Sequence, residues 1–269
     1  MSTVTSKVSL AGHHPSPPGQ RAEILNAEQI TYPPLDTLKP VTNGVWIVDS
    51  GPMAAMGFVQ LPIRMTVLRL NDGSLMLHSP TRFTATLKQE LEQVGLIAHL
   101  VAPNSAHWMF VKEWQDRCPT VRTWAAPGLY RRGQVRRMGV HIDHEMQDGA
   151  LAHWPGEIDR VLIEGVGFAE VALFVKHAKL VVLTDLVLNL EASKLPPALR
   201  PVAGLAGVLA PDGKAPLYLR ALIKLKRTQA RRAAKRLVAY KPDLTIFTHG
   251  RWFDSGAEEK LRKSLAWLL

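Results

Sequence analysis

The chain has 269 residues, 46% of them hydrophobic and 21% charged, and carries a formal net charge of +10, which suits one large domain with a buried core and favours acidic partners or substrates. Its single cysteine, Cys118, excludes an internal disulfide framework and any multi-cysteine metal site. No apolar run is long enough to cross a bilayer, and the N-terminus lacks the basic-then-apolar layout of a secretory leader, so a cytoplasmic location is the expectation.

Residues 1–40 are polar and proline-rich, with His13-His14-Pro15, Pro17-Pro18 and Pro33-Pro34. That composition predicts a flexible arm, in which the histidine pair is an incidental metal binder at most. A single domain is expected over 41–269. It opens with a strand at Val45–Val48, closed by Asp49–Pro52. Met65–Leu70 and Ser74–His78 form a hairpin around Asn71-Asp72-Gly73. Thr84–Val94 reads as a helix capped at Gly95. An apolar run, His99–Ala102, ends abruptly at Pro103. A polar turn follows, then an amphipathic segment to Arg117, with Ser105 in the position of an N-cap and Cys118 on the polar side of the helix end.

A strand at Val121–Ala125 comes next, and the pattern weakens from Gly128 to Gly156. Val161–Ile163, Val171–Val175 and Leu180–Thr184 read as three close strands, the last two joined by a turn at His177–Lys179. Leu190–Pro211 suits a loop and a short helix, and Leu217–Tyr240 is the strongest helical pattern. Leu244–Phe247 is a buried strand and Ala257–Leu269 a closing helix. Strand-rich runs in both halves, each accompanied by helices, point to an α/β protein of two packed sheets.

Three strand ends carry metal-ligating residue types: His107 after Ala102–Asn104, Asp185 after Leu183-Thr184, and His249 after Phe247-Thr248. Polar groups at carboxyl strand ends of open α/β folds face a cleft. A lone histidine in such a place is more often a hydrogen-bonded structural residue than a ligand. No serine sits in a Gly-x-Ser-x-Gly turn, and Gly165-Val166-Gly167 lacks the third glycine of a dinucleotide fingerprint.

The turn Ala102-Pro103-Asn104-Ser105-Ala106-His107, with Leu183-Thr184-Asp185 and Phe247-Thr248-His249-Gly250, resembles the metallo-β-lactamase fold superfamily, and within it the domain of unknown function 4336. The similarity runs from about Asn43 to Gly250. It implies an αβ/βα sandwich of two mixed sheets flanked by helices, with the site along one sheet edge. The family motif His-x-His-x-Asp-His keeps only His107 here. Ala102, Asn104 and Val166 stand where the first metal site has its histidines, and Ala106 stands for an aspartate. The second site keeps His107, His249 and the bridging Asp185.

The resemblance therefore implies one divalent ion, zinc or iron, on His107, Asp185 and His249, with positions open to water or substrate. It makes the chain a metal-dependent hydrolase of a small-molecule substrate, with a mononuclear iron oxidoreductase as a variant. Asp185 would orient the metal-bound water. Glu170 and His78 are candidate bases, each more often structural in such a position. Asn104 is a candidate contact for a ligand or the metal water, with turn stabilisation the equal alternative. A non-catalytic binding protein with a relic cleft is the reading from a different class.

Lys214–Lys241 holds many lysines and arginines and no acidic residue. Arg220, Lys224, Arg227, Arg231 and Lys235 recur along one helical face. A solvated face is the commonest outcome. An anionic substrate, a nucleic acid, an acidic protein or an anionic membrane would each suit the charges, and the lack of interleaved aromatics counts against single-stranded nucleic acid.

Overall fold

The computed structural model describes residues 25–55, 59–147, 149–150 and 153–269. In chain order the elements are α1 (Ala27–Ile30), β1 (Lys39–Thr42), β2 (Val45–Ala55), β3 (Val59–Arg69), β4 (Ser74–His78), α2 (Ala85–Val94), β5 (Leu96–Ala102), α3 (Val111–Arg117), β6 (Arg122–Ala125) and α4 (Gly133–Arg137). There follow β7 (His144–Glu145), β8 (Gly149–Ala150), β9 (Ile158–Gly165), β10 (Phe168–Val175), β11 (Leu180–Val182), α5 (Arg200–Ala206), α6 (Leu217–Lys224), α7 (Arg227–Ala239), β12 (Leu244–Ile246) and α8 (Ala257–Leu265).

One sheet runs β1 to β7 in sequence order, and the other runs β12-β11-β10-β9-β8. In the first sheet, β1 to β4 are antiparallel and β4 to β7 parallel. In the second, only β11 and β12 are parallel. The two mixed sheets flanked by helices are those implied by the motif resemblance.

Three apolar layers follow from strand alternation. Met76, Val101, Trp124, Leu173, Val182 and Ile246 fill the space between the sheets. Leu77, Leu100, Leu87, Leu91 and Trp114 pack the first sheet against α2 and α3. Ile163, Val181, Leu219, Ile223, Ala234 and Leu261 pack the second against α6, α7 and α8. Parallel strands buried on both faces read as continuous apolar runs, which is why β5 and β11 were legible.

Several expectations need correction. The flexible arm does not extend to residue 40. Asn26 and Gln29 form a reciprocal capping box that starts α1, Ile30 is buried, and β1 pairs with β2. Tyr32 donates to Glu191 at 2.7 Å, and Lys39 pairs with Asp49 at 2.6 Å. Proline density masked these contacts; residues 1–24, including His13 and His14, lie outside the described residues. β2 does not close at Asp49 but continues through a register shift between Ser50 and Met53. The long basic helix breaks at Leu225-Lys226, where the Lys226 N–H turns back to Ile223 O. The break lets Leu219 and Ile223 cover β9 while α7 lays Ala230, Ala233 and Ala234 on the second sheet. Cys118 is buried, capping α3 through its N–H to Trp114 O.

A buried ion pair ties the first sheet to the strand end bearing His249. Arg64 Nη2 lies 2.6 Å from Asp49, and Arg64 Nη1 donates to Phe247 O at 3.0 Å and Gly250 O at 2.8 Å. Arg64→Met should lower unfolding free energy by about 3–5 kcal/mol, because it leaves two carbonyls and part of a carboxylate unpaired in the interior. Urea unfolding reads this, and a loss below about 1 kcal/mol would show the pair to be dispensable.

Candidate metal centre

The turn after β5 is built by Asn104, not by Ser105. Asn104 is fully buried, and its Oδ1 accepts the N–H groups of Ala106 at 2.8 Å and His107 at 3.0 Å. α3 begins only at Val111, with no side-chain cap, so Ser105 is not its N-cap. The Asn104 turn aims His107 across the sheet edge at the end of β11.

There Asp185 receives both imidazoles. His107 Nε2 lies 3.3 Å from Asp185 Oδ2, and His249 Nε2 lies 3.3 Å from Asp185 Oδ1. One ligand atom from each of the three residues falls within 4.8 Å of the other two. Their side chains are 6%, 16% and 6% exposed in the order His107, Asp185, His249, so the carboxylate keeps the most access to solvent.

Each imidazole is held from behind. His249 Nδ1 lies 2.8 Å from the carbonyl of Pro62, which can only accept. The carbonyl therefore takes the Nδ1 proton, which leaves Nε2 as the nitrogen that faces Asp185. His107 Nδ1 lies 2.8 Å from Ser79 Oγ. Metal-ligating histidines are oriented by such contacts at the far nitrogen.

Electrostatics agree with the geometry. Burial opposes ionisation of Asp185, but the charge of His107 and hydrogen bonds from His107 and His249 together outweigh it. They hold the carboxyl well below the ordinary range. Burial likewise opposes protonation of His107, and Asp185 more than offsets it. His107 and Asp185 thus favour a proton held between them, which a metal ion would have to displace.

The remaining sequence candidates have other roles. Glu170 is fully buried on β10, with Oε1 accepting Thr184 N–H at 2.8 Å and Oε2 accepting Asp185 N–H at 2.9 Å and Leu186 N–H at 3.1 Å. Burial, then the nearby Asp185 charge, raises its pKa. Its lone pairs are engaged, so it anchors the loop that carries Asp185 and is not a free base. Asn104 Nδ2 is spent on Thr184 Oγ1 at 2.9 Å and Asp185 Oδ2 at 2.8 Å, which leaves it a positioning residue and not a ligand contact. His78 is buried, and burial followed by the charge of His107 pushes its pKa down to about 3. Val166 is half exposed, with its N–H on Leu222 O of α6.

Two contributors were missed. Ser79, one residue beyond His78, reaches His107 because its backbone turns left-handed, with φ 54°. Pro62 supports His249 through its main chain, for which side-chain identity gives no signal. Gly250 explains the small residue after His249: its φ is +90°, and a Cβ there would sit 2.2 Å from Asn189 O.

A family model described as a domain of unknown function, DUF4336, matches residues 42–206. No curated protein matches the chain. Among solved structures, the metallo-β-lactamase from Pontibacter korlensis superposes with a TM-score of 0.57 at 14% identity, over 86% of this chain and 97% of its own. The metallo-β-lactamase FIM-1 from Pseudomonas aeruginosa, in its mono-zinc form, gives 0.54 at 14% identity, over 87% and 96%. DIM-1 metallo-β-lactamase exposed to ceftazidime gives 0.58 at 14% identity, over 85% and 95%. At such identities the likeness is one of fold.

Proposed function

The chain belongs to the DUF4336 family and has the metallo-β-lactamase fold, and on that footing we propose that it is a metal-dependent hydrolase with a single divalent ion on His107, Asp185 and His249. The observation that carries this reading is the convergence of three donors from distant strand ends, each imidazole already oriented at its other nitrogen. Two imidazoles and a carboxylate suit zinc or iron with positions left open. FIM-1, which shares the fold, has been solved in a mono-zinc form, which is in keeping with a single ion.

A divalent ion in this pocket would acidify bound water and polarise a substrate carbonyl or phosphoryl oxygen. The chain's own residues have narrower duties. Asp185 shares its two oxygens between the imidazoles and faces solvent more than either, which suits it to orient a water. Asn104 and Glu170 fix that carboxylate from the side chain and the backbone respectively. Ser79 and Pro62 keep both Nε2 atoms turned inwards.

The positions matching the superfamily's first metal site offer no ligand here: Ala102 is apolar and buried, Asn104 is engaged, and Val166 lies against α6. Metal analysis of tag-free protein tests the reading, followed by assay of the loaded protein on ester, thioester and phosphodiester panels. One equivalent of zinc or iron with turnover of any of these classes is expected. Protein that takes up no divalent ion overturns it.

A further inference from the structure

Ten large hydrophobic residues are exposed among the described residues, and six of them gather around α6. Leu205 is 84% exposed, Leu225 72%, Val202 63%, Tyr218 56%, Leu217 54% and Val166 50%. The three segments that carry them touch. Arg220 Nη2 donates to Ala206 O at 2.7 Å, which joins α5 to α6, and Val166 N–H donates to Leu222 O at 3.1 Å, which joins the β9–β10 turn to α6. Along α6 and its C-cap, Leu217, exposed Ala221 and Leu225 recur every fourth residue and form one stripe. Clustering of this kind marks an interaction surface, whereas single exposed leucines are ordinary.

The surroundings of the patch are cationic. Lys224, Arg227, Arg231, Arg232 and Lys235 are exposed and pair with no carboxylate among the described residues. No acidic residue occurs between Lys214 and Lys241.

We propose that α5, α6 and the start of α7 form a docking surface for an anionic lipid bilayer, with Leu205, Leu217 and Leu225 entering the headgroup boundary and the cations of α6 and α7 meeting lipid phosphates. Highly exposed aliphatic tips beside charges of one sign have the amphipathic make-up of an interfacial segment. Nucleic acid would use the cations and leave the leucines in water. A folded acidic partner would need a complementary groove for side chains that stand this far out. Among the described residues no helix is long and apolar enough to cross a membrane, and the contact proposed is a peripheral one.

Sedimentation of the full chain with vesicles tests this independently of metal content. Vesicles of phosphatidylcholine with phosphatidylglycerol should pellet the protein, vesicles of phosphatidylcholine alone should not, and high salt should release it. Leu205→Asp with Leu225→Asp should weaken binding by roughly tenfold or more. Lys224→Glu with Arg227→Glu should do the same, and all four positions are exposed, so thermal melts should match the parent. Absence of binding to anionic vesicles overturns the proposal. So does binding that survives the leucine substitutions, or duplex DNA that competes fully with the vesicles for the parent and leucine variants alike, which would identify a general polyanion surface. Failure here leaves the metal centre standing, since uptake of the ion is measured without vesicles.

Discussion

Glu170→Ala should lower the unfolding free energy by on the order of 5 kcal/mol, enough to threaten folding altogether. The carboxylate is fully buried and accepts from three successive backbone N–H groups, those of Thr184, Asp185 and Leu186, at 2.8, 2.9 and 3.1 Å. Removing it orphans all three, and each buried donor left unsatisfied costs roughly 1–3 kcal/mol. Water entering the space left by the side chain would recover part of that. Glu170→Gln separates anchor from bulk. It keeps one acceptor oxygen but turns an NH₂ towards the same donors, so a loss of about 2–3 kcal/mol is expected, with the fold intact. Urea midpoints at constant m-value measure both variants. Should Glu170→Gln unfold with the parent, the carboxylate is not the anchor its contacts make it, and a catalytic role returns to consideration.

The same residue marks where sequence reading stopped. Strands such as β5, β10 and β11 were legible from the apolar runs His99–Ala102, Val171–Val175 and Leu180–Leu183 that they hold, and the three site residues were legible because each follows an apolar run. Convergence was not, since His107 and His249 meet Asp185 only through sheet pairing between segments far apart in the chain. Glu170 is a candidate base in the sequence, with a structural role the commoner one, because a glutamate near a site has two chemistries in one dimension, and only its hydrogen-bond partners choose between them. Asn104 is a similar case: a turn-former and a ligand contact look alike until both ends of the amide are found occupied. Ser79 was hidden beside the more conspicuous His78, because a non-glycine residue with φ 54° breaks the alternation that assigns faces along a strand. Arg220 and Lys224 were rightly placed on one helix, but periodicity could not say that Leu217 and Leu225 share it as exposed residues.

His107→Ala and His249→Ala should each reduce divalent-ion affinity by more than about 100-fold, since even the partners that orient a ligand are worth 10–100-fold. The argument concerns the number of donors left. Each substitution reduces three donors to two, and the surviving imidazole with Asp185 cannot enclose an ion against water. Ser79→Ala keeps all three donors and frees His107 Nδ1 from its 2.8 Å contact, so its loss should fall within the 10–100-fold range. The order of the three variants is the diagnostic part, and a common non-specific surface site would give no order at all. Stability supplies a second readout. With the ion at about 100 times its Kd, the parent should gain about 2.7 kcal/mol of apparent stability, and the two alanine variants at the same ion concentration should gain almost none. Without metal both variants should move the same way. His107 and His249 each approach the Asp185 carboxylate, so the ion-free alanine variants lose an attractive partner and should melt below the ion-free parent. If both alanine variants bind zinc and iron as the parent does, the ion lies elsewhere, and the convergence of the three side chains is a buried charge network with no ligand to hold.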